Sequence, residues 1–244
     1  MREILYRQLS LDYCCPLEEV QDSSNHFHIY TPQEGRRRFS EEKECFLKIV
    51  SLRNKLLFAG QPEIIDWCRS QYESYPGQWF MEPGPVLALN EKLKETGHRV
   101  SHLHPFYIAT EKSPVEPVPY DVVIYRDQEI EQFRGDARMK EAYSFQEAAP
   151  DRIGIGAWKD GKLLGMAGAS ADSPTMWQIG INVEPEAKGM GIGPELVRRL
   201  KNEILDLGIL PYYGTSVSHI NSQRVAQKAG FVPAWTELAT SFQS

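Results

Sequence analysis

The sequence predicts an α/β (α+β) chain, with a mixed, mostly antiparallel sheet flanked by helices and a smaller α+β domain in front of it. Three observations carry this. "RIGIGAWKDGKLLGMAGAS" is two apolar runs around Asp160-Gly161, a pair suited to the left-handed conformations of a tight hairpin. "TMWQIGINV" is a strand that runs through "EPEAKGMGIG" into "GPELVRRLKNEILDLG", where Leu196, Leu200, Ile204 and Leu205 recur at helical spacing and Gly208 closes the helix. "EKSPVEPVPY" carries Pro114, Pro117 and Pro119, which remove donors and favour extended backbone. The expected organisation is therefore an N-terminal domain over residues 1–113, a linker over 114–119 and a C-terminal domain over 120–244.

The remaining elements follow in order. The N-terminal stretch is helical, and Pro16 is placed to open a second helix in "CPLEEVQ". "HFHIYT" reads as a strand and "FLKIVSLRNKLLFAG" as a hairpin around Arg53-Asn54. "PEIIDWCRSQYE" and "PVLALNEKLKETG" read as helices, then "RVSHLHPFYIA" as a strand. In the C-terminal part, "YDVVIYR" is a strand and "DQEIEQFRGDARMKEAYSFQEA" has helical composition and spacing. After the long helix come a strand "ILPYYGTSV", a short helix "INSQRVAQKAG" and a final strand "FVPAWTEL". "NKLLFAG" echoes "GKLLGMAG", both on the second strand of a hairpin; the echo fits either a duplicated half-domain or shared hairpin chemistry.

Composition narrows the function classes. The 244 residues carry a formal net charge of -6, which argues against a broad basic surface for nucleic acid. The one dense basic run, Arg36-Arg37-Arg38, reads as a solvated turn. Cys14, Cys15, Cys45 and Cys68 make no CxxC pair and read as reduced packing thiols. With no secretory h-region and no apolar run long enough for a bilayer, the expectation is a cytoplasmic chain without membrane association. His26/His28 and His102/His104 each share a strand face, but no neighbouring carboxylate or cysteine in the sequence completes a ligand set, so no metal is expected.

The cluster Gly189, Gly191 and Gly193 is the main chemical signal. A strand feeding a glycine turn into a helix start presents unsatisfied N–H groups and positive potential, and glycine lets a phosphate approach the backbone. Pro194 fits the first turn. The spacing is GxGxG, which matches neither GxGxxG nor a P-loop.

"VEPEAKGMGIGPELV" resembles the acyl-CoA motif of the GNAT superfamily of N-acetyltransferases, with Lys188 at the usual Arg/Gln position. "SVSHINSQRVAQKAGF" resembles the second signature of that superfamily through Ser222, Arg224, Val225, Lys228, Gly230 and Phe231. The resemblance, which covers roughly Tyr120 to Leu238, implies a GNAT fold in the C-terminal domain; the hairpin echo suggests an N-terminal domain that is a degenerate GNAT-like half, walling the acceptor cleft or contributing an interface. The resemblance also implies acetyl-CoA as co-substrate, with Ile181, Asn182 and Val183 pairing pantetheine amides and Lys188, Gly189, Met190, Gly191, Ile192 and Gly193 holding the diphosphate. The implied reaction is direct attack of an amine on the thioester in a ternary complex. The acceptor would be a small-molecule or peptide amine; the oligomeric state is left open, with a homodimer as one option. The alternative is a CoA-binding regulatory module without turnover.

Two departures weaken the proton-transfer half of that implication. The strand before the loop holds no Asp or Glu, and Glu184 and Glu186 at its end read as solvated. The second-signature helix lacks a tyrosine; Ala226 stands where one would fall. His219 and Ser222 are the catalytic candidates and would also lie against the cofactor, with Tyr212 and Tyr213 as further hydroxyls. His219 is equally readable as a helix cap or an exposed side chain.

Overall fold

The computed structural model describes residues 1–37 and 45–243. The chain divides into two units that interleave in sequence. One takes Met1–Ile4, Tyr107–Gly214 and His219–Val232; the other takes Leu5–Phe106, Thr215–Ser218 and Pro233–Ser244.

In the first unit, β5 (Asp121–Arg126), β6 (Asp151–Lys159), β7 (Lys162–Ser170), β8 (Met176–Val183) and β9 (Leu210–Gly214) lie in the order β9-β8-β7-β6-β5. Every neighbouring pair is antiparallel except β8 with β9. The β6–β7 hairpin turns at Asp160 (φ +51°) and Gly161 (φ +72°), the left-handed pair the sequence offered. Helix α5 (Ile192–Asp206) buries Leu196, Val197, Leu200 and Ile204 against Ile153, Ile155, Ala167 and Ile179. Each such side chain contributes about 2 kcal/mol. Leu205, expected on the same side, is only half-buried.

The stretch expected as one helix after β5 forms instead two 3-10 turns, Asp127–Phe133 and Ala137–Met139. Gly135 sits at φ +84° between them, and the Asp136 carboxylate accepts the Arg138 N–H (2.9 Å) to start the second turn. The segment then lies flat on the sheet. Gly154, Gly168 and Gly180 are in register across β6, β7 and β8. A Cβ at any of them would overlap Tyr143, the Ala142 carbonyl or the Glu141 carbonyl. Tertiary contact, not local propensity, decides this stretch.

The proline segment expected as a linker is docked on α5. Asn202 accepts the Ser113 N–H (3.0 Å) and donates to its carbonyl (2.8 Å), and Arg199 donates to the Glu116 carbonyl (2.6 Å). The unit boundary therefore does not fall at 114–119. Beneath Ser113, Lys201 is fully buried and donates to its hydroxyl (2.5 Å). Burial first, then the neighbouring Arg198 charge, lowers this ammonium from 10.5 to about 8. A base held below its unfolded value binds fewer protons when folded, so Lys201 costs about 3 kcal/mol at neutral pH. That cost disappears as pH rises from about 8 through 10.5. Lys201→Met is expected to add about 1–3 kcal/mol at pH 7 and to abolish that rise, read by urea unfolding across the pH series.

In the second unit, β1 (His26–Ile29), β2 (Leu47–Leu52), β3 (Lys55–Gly60), β4 (His98–Ile108) and β10 (Val232–Phe242) follow the order β1-β3-β2-β10-β4. The parallel β1–β3 pair joins the antiparallel β3–β2–β10 series. Helix α1 (Arg2–Asp12) buries Leu5 and Leu9, short α2 (Leu17–Gln21) follows Pro16, and α3 (Pro62–Tyr72) and α4 (Pro83–Lys94) cover Phe58 with Ile64, Ile65, Leu89 and Leu93. All but the first residue of β10 belong to this unit, although the sequence reading assigned that strand to the C-terminal domain. Arg37, expected in a solvated turn, is instead buried against Asp12 and Glu237; Arg38 lies outside the described residues. Cys15, Cys45 and Cys68 are buried and Cys14 is half-buried, and none of the four is in a disulfide. Among the described residues, no helix is long and apolar enough to cross a membrane.

Candidate functional site

The site grows from the parting of two strands. β8 and β9 pair only at Met176↔Leu210, Trp177↔Pro211 and Gln178↔Tyr212. Backbone groups of successive strand residues point to opposite edges. The Leu210 N–H bonds the Thr175 carbonyl (3.0 Å), so odd-numbered residues of β8 turn their backbone toward β9. The Glu184 N–H bonds the Leu164 carbonyl (3.0 Å), so even-numbered residues turn toward β7. Beyond the last pair, Ile181 and Val183 therefore present N–H and C=O groups to an edge that β9 has left.

This parity separates residues that the sequence grouped. Ile181 and Val183 offer backbone to the gap. Asn182 does not: its backbone faces β7, and its Oδ1 accepts the N–H groups of Glu141 (2.9 Å) and Ala142 (2.8 Å).

β8 leads through a 3-10 turn, Pro185–Ala187, into the glycine loop. Gly189 (φ +83°) and Gly191 (φ +81°) are left-handed, and a Cβ on either would meet nothing within 4 Å. That space, which no side chain fills, is what a diphosphate needs beside the backbone. Gly193 has a different reason to be glycine. A Cβ there would lie 3.3 Å from Val183 and 3.6 Å from Val225, so it lets the start of α5 approach β8 and α6 (Ile220–Lys228). The Lys188 and Met190 N–H groups are used inside the turn. Those of Gly189, Gly191, Ile192 and Gly193 have no acceptor among the described residues. Glu195, in the first turn, is neutralised by Arg198 (2.5 Å) and Arg199 (2.8 Å), which preserves the positive end of the helix.

Two polar clusters flank the gap. Tyr213, on the diverging end of β9, shares a hydrogen bond with Ser222 of α6 (2.9 Å). Burial is the main cause that raises the Tyr213 phenol above its ordinary value, with Glu141 adding to it and the Ser222 bond opposing it. The phenol thus keeps its proton at neutral pH. His219, by contrast, is exposed at the N-cap of α6 and makes no capping bond with its side chain. The second cluster lies at the last paired residues: Tyr212 donates to both Gln178 Oε1 (3.1 Å) and buried Asp172, which also accepts from Ser170 (2.7 Å). Sequence reasoning missed Asp172 because it searched the strand; the residue stands in "ASADSPT", just before it.

Residues 122–231 match the model of the acetyltransferase (GNAT) family. This chain carries a GNAT-family domain. The loop, the parted strands and both signature segments lie within the GNAT domain, and acyl transfer is the reaction class of the family. No curated protein matches the sequence.

Similar solved structures include a GCN5-related N-acetyltransferase from Sphaerobacter thermophilus, 10% identical, with 98% of this chain and 91% of that chain covered at a TM-score of 0.51. A GCN5-related N-acetyltransferase-like protein from Streptococcus suis is 14% identical over 97% of this chain and 98% of its own, at 0.49. A GCN5-related N-acetyltransferase from Kribbella flavida is 16% identical over 66% of this chain, at 0.46, and the match spans just under two thirds of that protein (65%). The Sphaerobacter likeness speaks to the fold of the chain.

Proposed function

We propose that the GNAT domain transfers an acetyl group from acetyl-CoA to a primary amine by direct attack in a ternary complex. The observation that carries this is the continuity of unpaired backbone from Ile181 and Val183 into the N–H groups of Gly189, Gly191, Ile192 and Gly193. The strand edge suits pantetheine amides, and the loop suits the diphosphate. CoA supplies the activated acyl group; the chain's own residues position it and handle protons.

Tyr213, backed by Ser222, is the proton donor for the departing thiolate, taking the place of the tyrosine that α6 lacks. Asp172, reached through Tyr212 at the point where the strands part, is the carboxylate assigned to the amine proton, a group that β8 itself does not provide. The acceptor class is a small-molecule or peptide amine.

Thiol release from acetyl-CoA, measured with a panel of amines, peptides and aminoglycosides, tests the reading. Tight CoA binding with no release across the panel would favour a regulatory CoA-binding module. Tyr213→Phe removes one hydroxyl from a buried site and is expected to lower kcat about a hundredfold with CoA affinity within about threefold. An unchanged kcat would remove Tyr213 from proton transfer.

A further inference from the structure

We propose that Glu19, His26 and His28, in the second unit, form a binding site for a divalent transition-metal ion of the zinc type. The three offer ligand atoms that all lie within 4.8 Å of one another, the one such group of three among the described residues. His26 and His28 are two apart on β1 and share a face; Glu19 comes from α2, seven residues before the first histidine. The sequence presented only the histidine pair. The fold supplies the carboxylate.

The hydrogen bonds around His26 decide its orientation. Its Nε2 lies 2.8 Å from Asp22 Oδ2, and a ring N–H there leaves Nδ1 with a lone pair. That lone pair faces Glu19 Oε2 at 3.4 Å, and His28 Nε2 stands 2.6 Å from the same oxygen. Two nitrogens and a carboxylate oxygen thus converge without a proton for each contact, an arrangement that a cation resolves. Ligands on tetrahedral zinc stand about 3.3 Å apart, the separation His26 Nδ1 already has from Glu19 Oε2 (3.4 Å), and the 2.6 Å hydrogen bond of His28 would open to admit the ion. Asp22 then acts behind the site as the carboxylate that fixes a ligand histidine. Its other oxygen accepts from buried Lys55 (2.8 Å), so this ammonium is offset before it reaches the ligands. Three protein ligands leave one position for water. The ion would tie α2 to β1.

The test uses the full chain and Zn2+ in competition with a chromophoric chelator, with Co2+ absorption as a second readout of tetrahedral nitrogen and oxygen ligation. Wild-type protein is expected to take up one Zn2+ per chain. His28→Ala and Glu19→Gln should each weaken uptake by at least about a hundredfold, and Asp22→Asn by about tenfold. His102→Gln, on the other histidine pair, should retain full uptake. Urea unfolding of each variant separates ligand loss from misfolding. Two results overturn the proposal: no stoichiometric uptake by the wild type, or uptake that folded His28→Ala and Glu19→Gln leave unchanged.

Discussion

Gly191→Glu is expected to weaken CoA binding by about a hundredfold or more, close to 3 kcal/mol, while the chain still folds. Gly191 is the N-cap of α5 at φ +81°, and its backbone borders open space rather than protein atoms. A side chain there meets no clash within the fold, so the structural cost is the left-handed strain, about 1 kcal/mol. The binding cost is larger, because a carboxylate would occupy the space set aside for phosphate and would oppose its charge at the helix start. Gly191→Ala separates the two terms, since it adds the strain and a methyl group without the charge. Calorimetric titration with CoA reads both variants. Equal affinities for wild type and Gly191→Glu would show that the diphosphate is not held at this loop. Gly193→Ala is a different experiment: its methyl group presses on Val183, so its effect belongs to the packing of α5 on β8.

The contrast between those glycines shows what the sequence could tell. The strand, the glycine turn and the amphipathic α5 are local patterns, and they were legible as such from Gly180 to Leu200. The hairpin at Asp160-Gly161 was legible for the same reason. What escaped depends on residues far apart in the chain. That Ile181 and Val183 face the gap while Asn182 does not follows from the parity of β8, which is fixed only once β7 and β9 are in place. The stretch after β5 has helical composition, yet a row of glycines contributed by three other strands holds it flat. Glu19 beside His26 is likewise a product of folding, as is Asp172 beside Tyr212. The proline segment looked like a linker because prolines are visible in sequence and the asparagine that grips Ser113 from α5 is not.

The buried arginine is the sharpest case, and it gives the second large effect. Asp12→Ala is expected to destabilise the chain by about 3–5 kcal/mol. Asp12 is fully buried at the end of α1. It accepts from Arg37 Nε (2.6 Å), the Arg37 N–H (2.8 Å) and Gln8 Nε2 (3.0 Å). Arg37, 3% exposed, lies near the rings of Phe106 and Trp235 and reaches Glu237, two hundred positions along the chain. A guanidinium in that setting balances its desolvation with two carboxylates, and removing one leaves most of the penalty uncompensated. Asp12→Leu combined with Arg37→Met removes the charged pair instead of breaking it. That double variant is expected to recover most of the loss, although Glu237 then keeps a partial cost of its own. Urea unfolding of the four members of the cycle measures the coupling between the two side chains. A coupling below about 1 kcal/mol would place this pair, in energy, with solvated surface bridges.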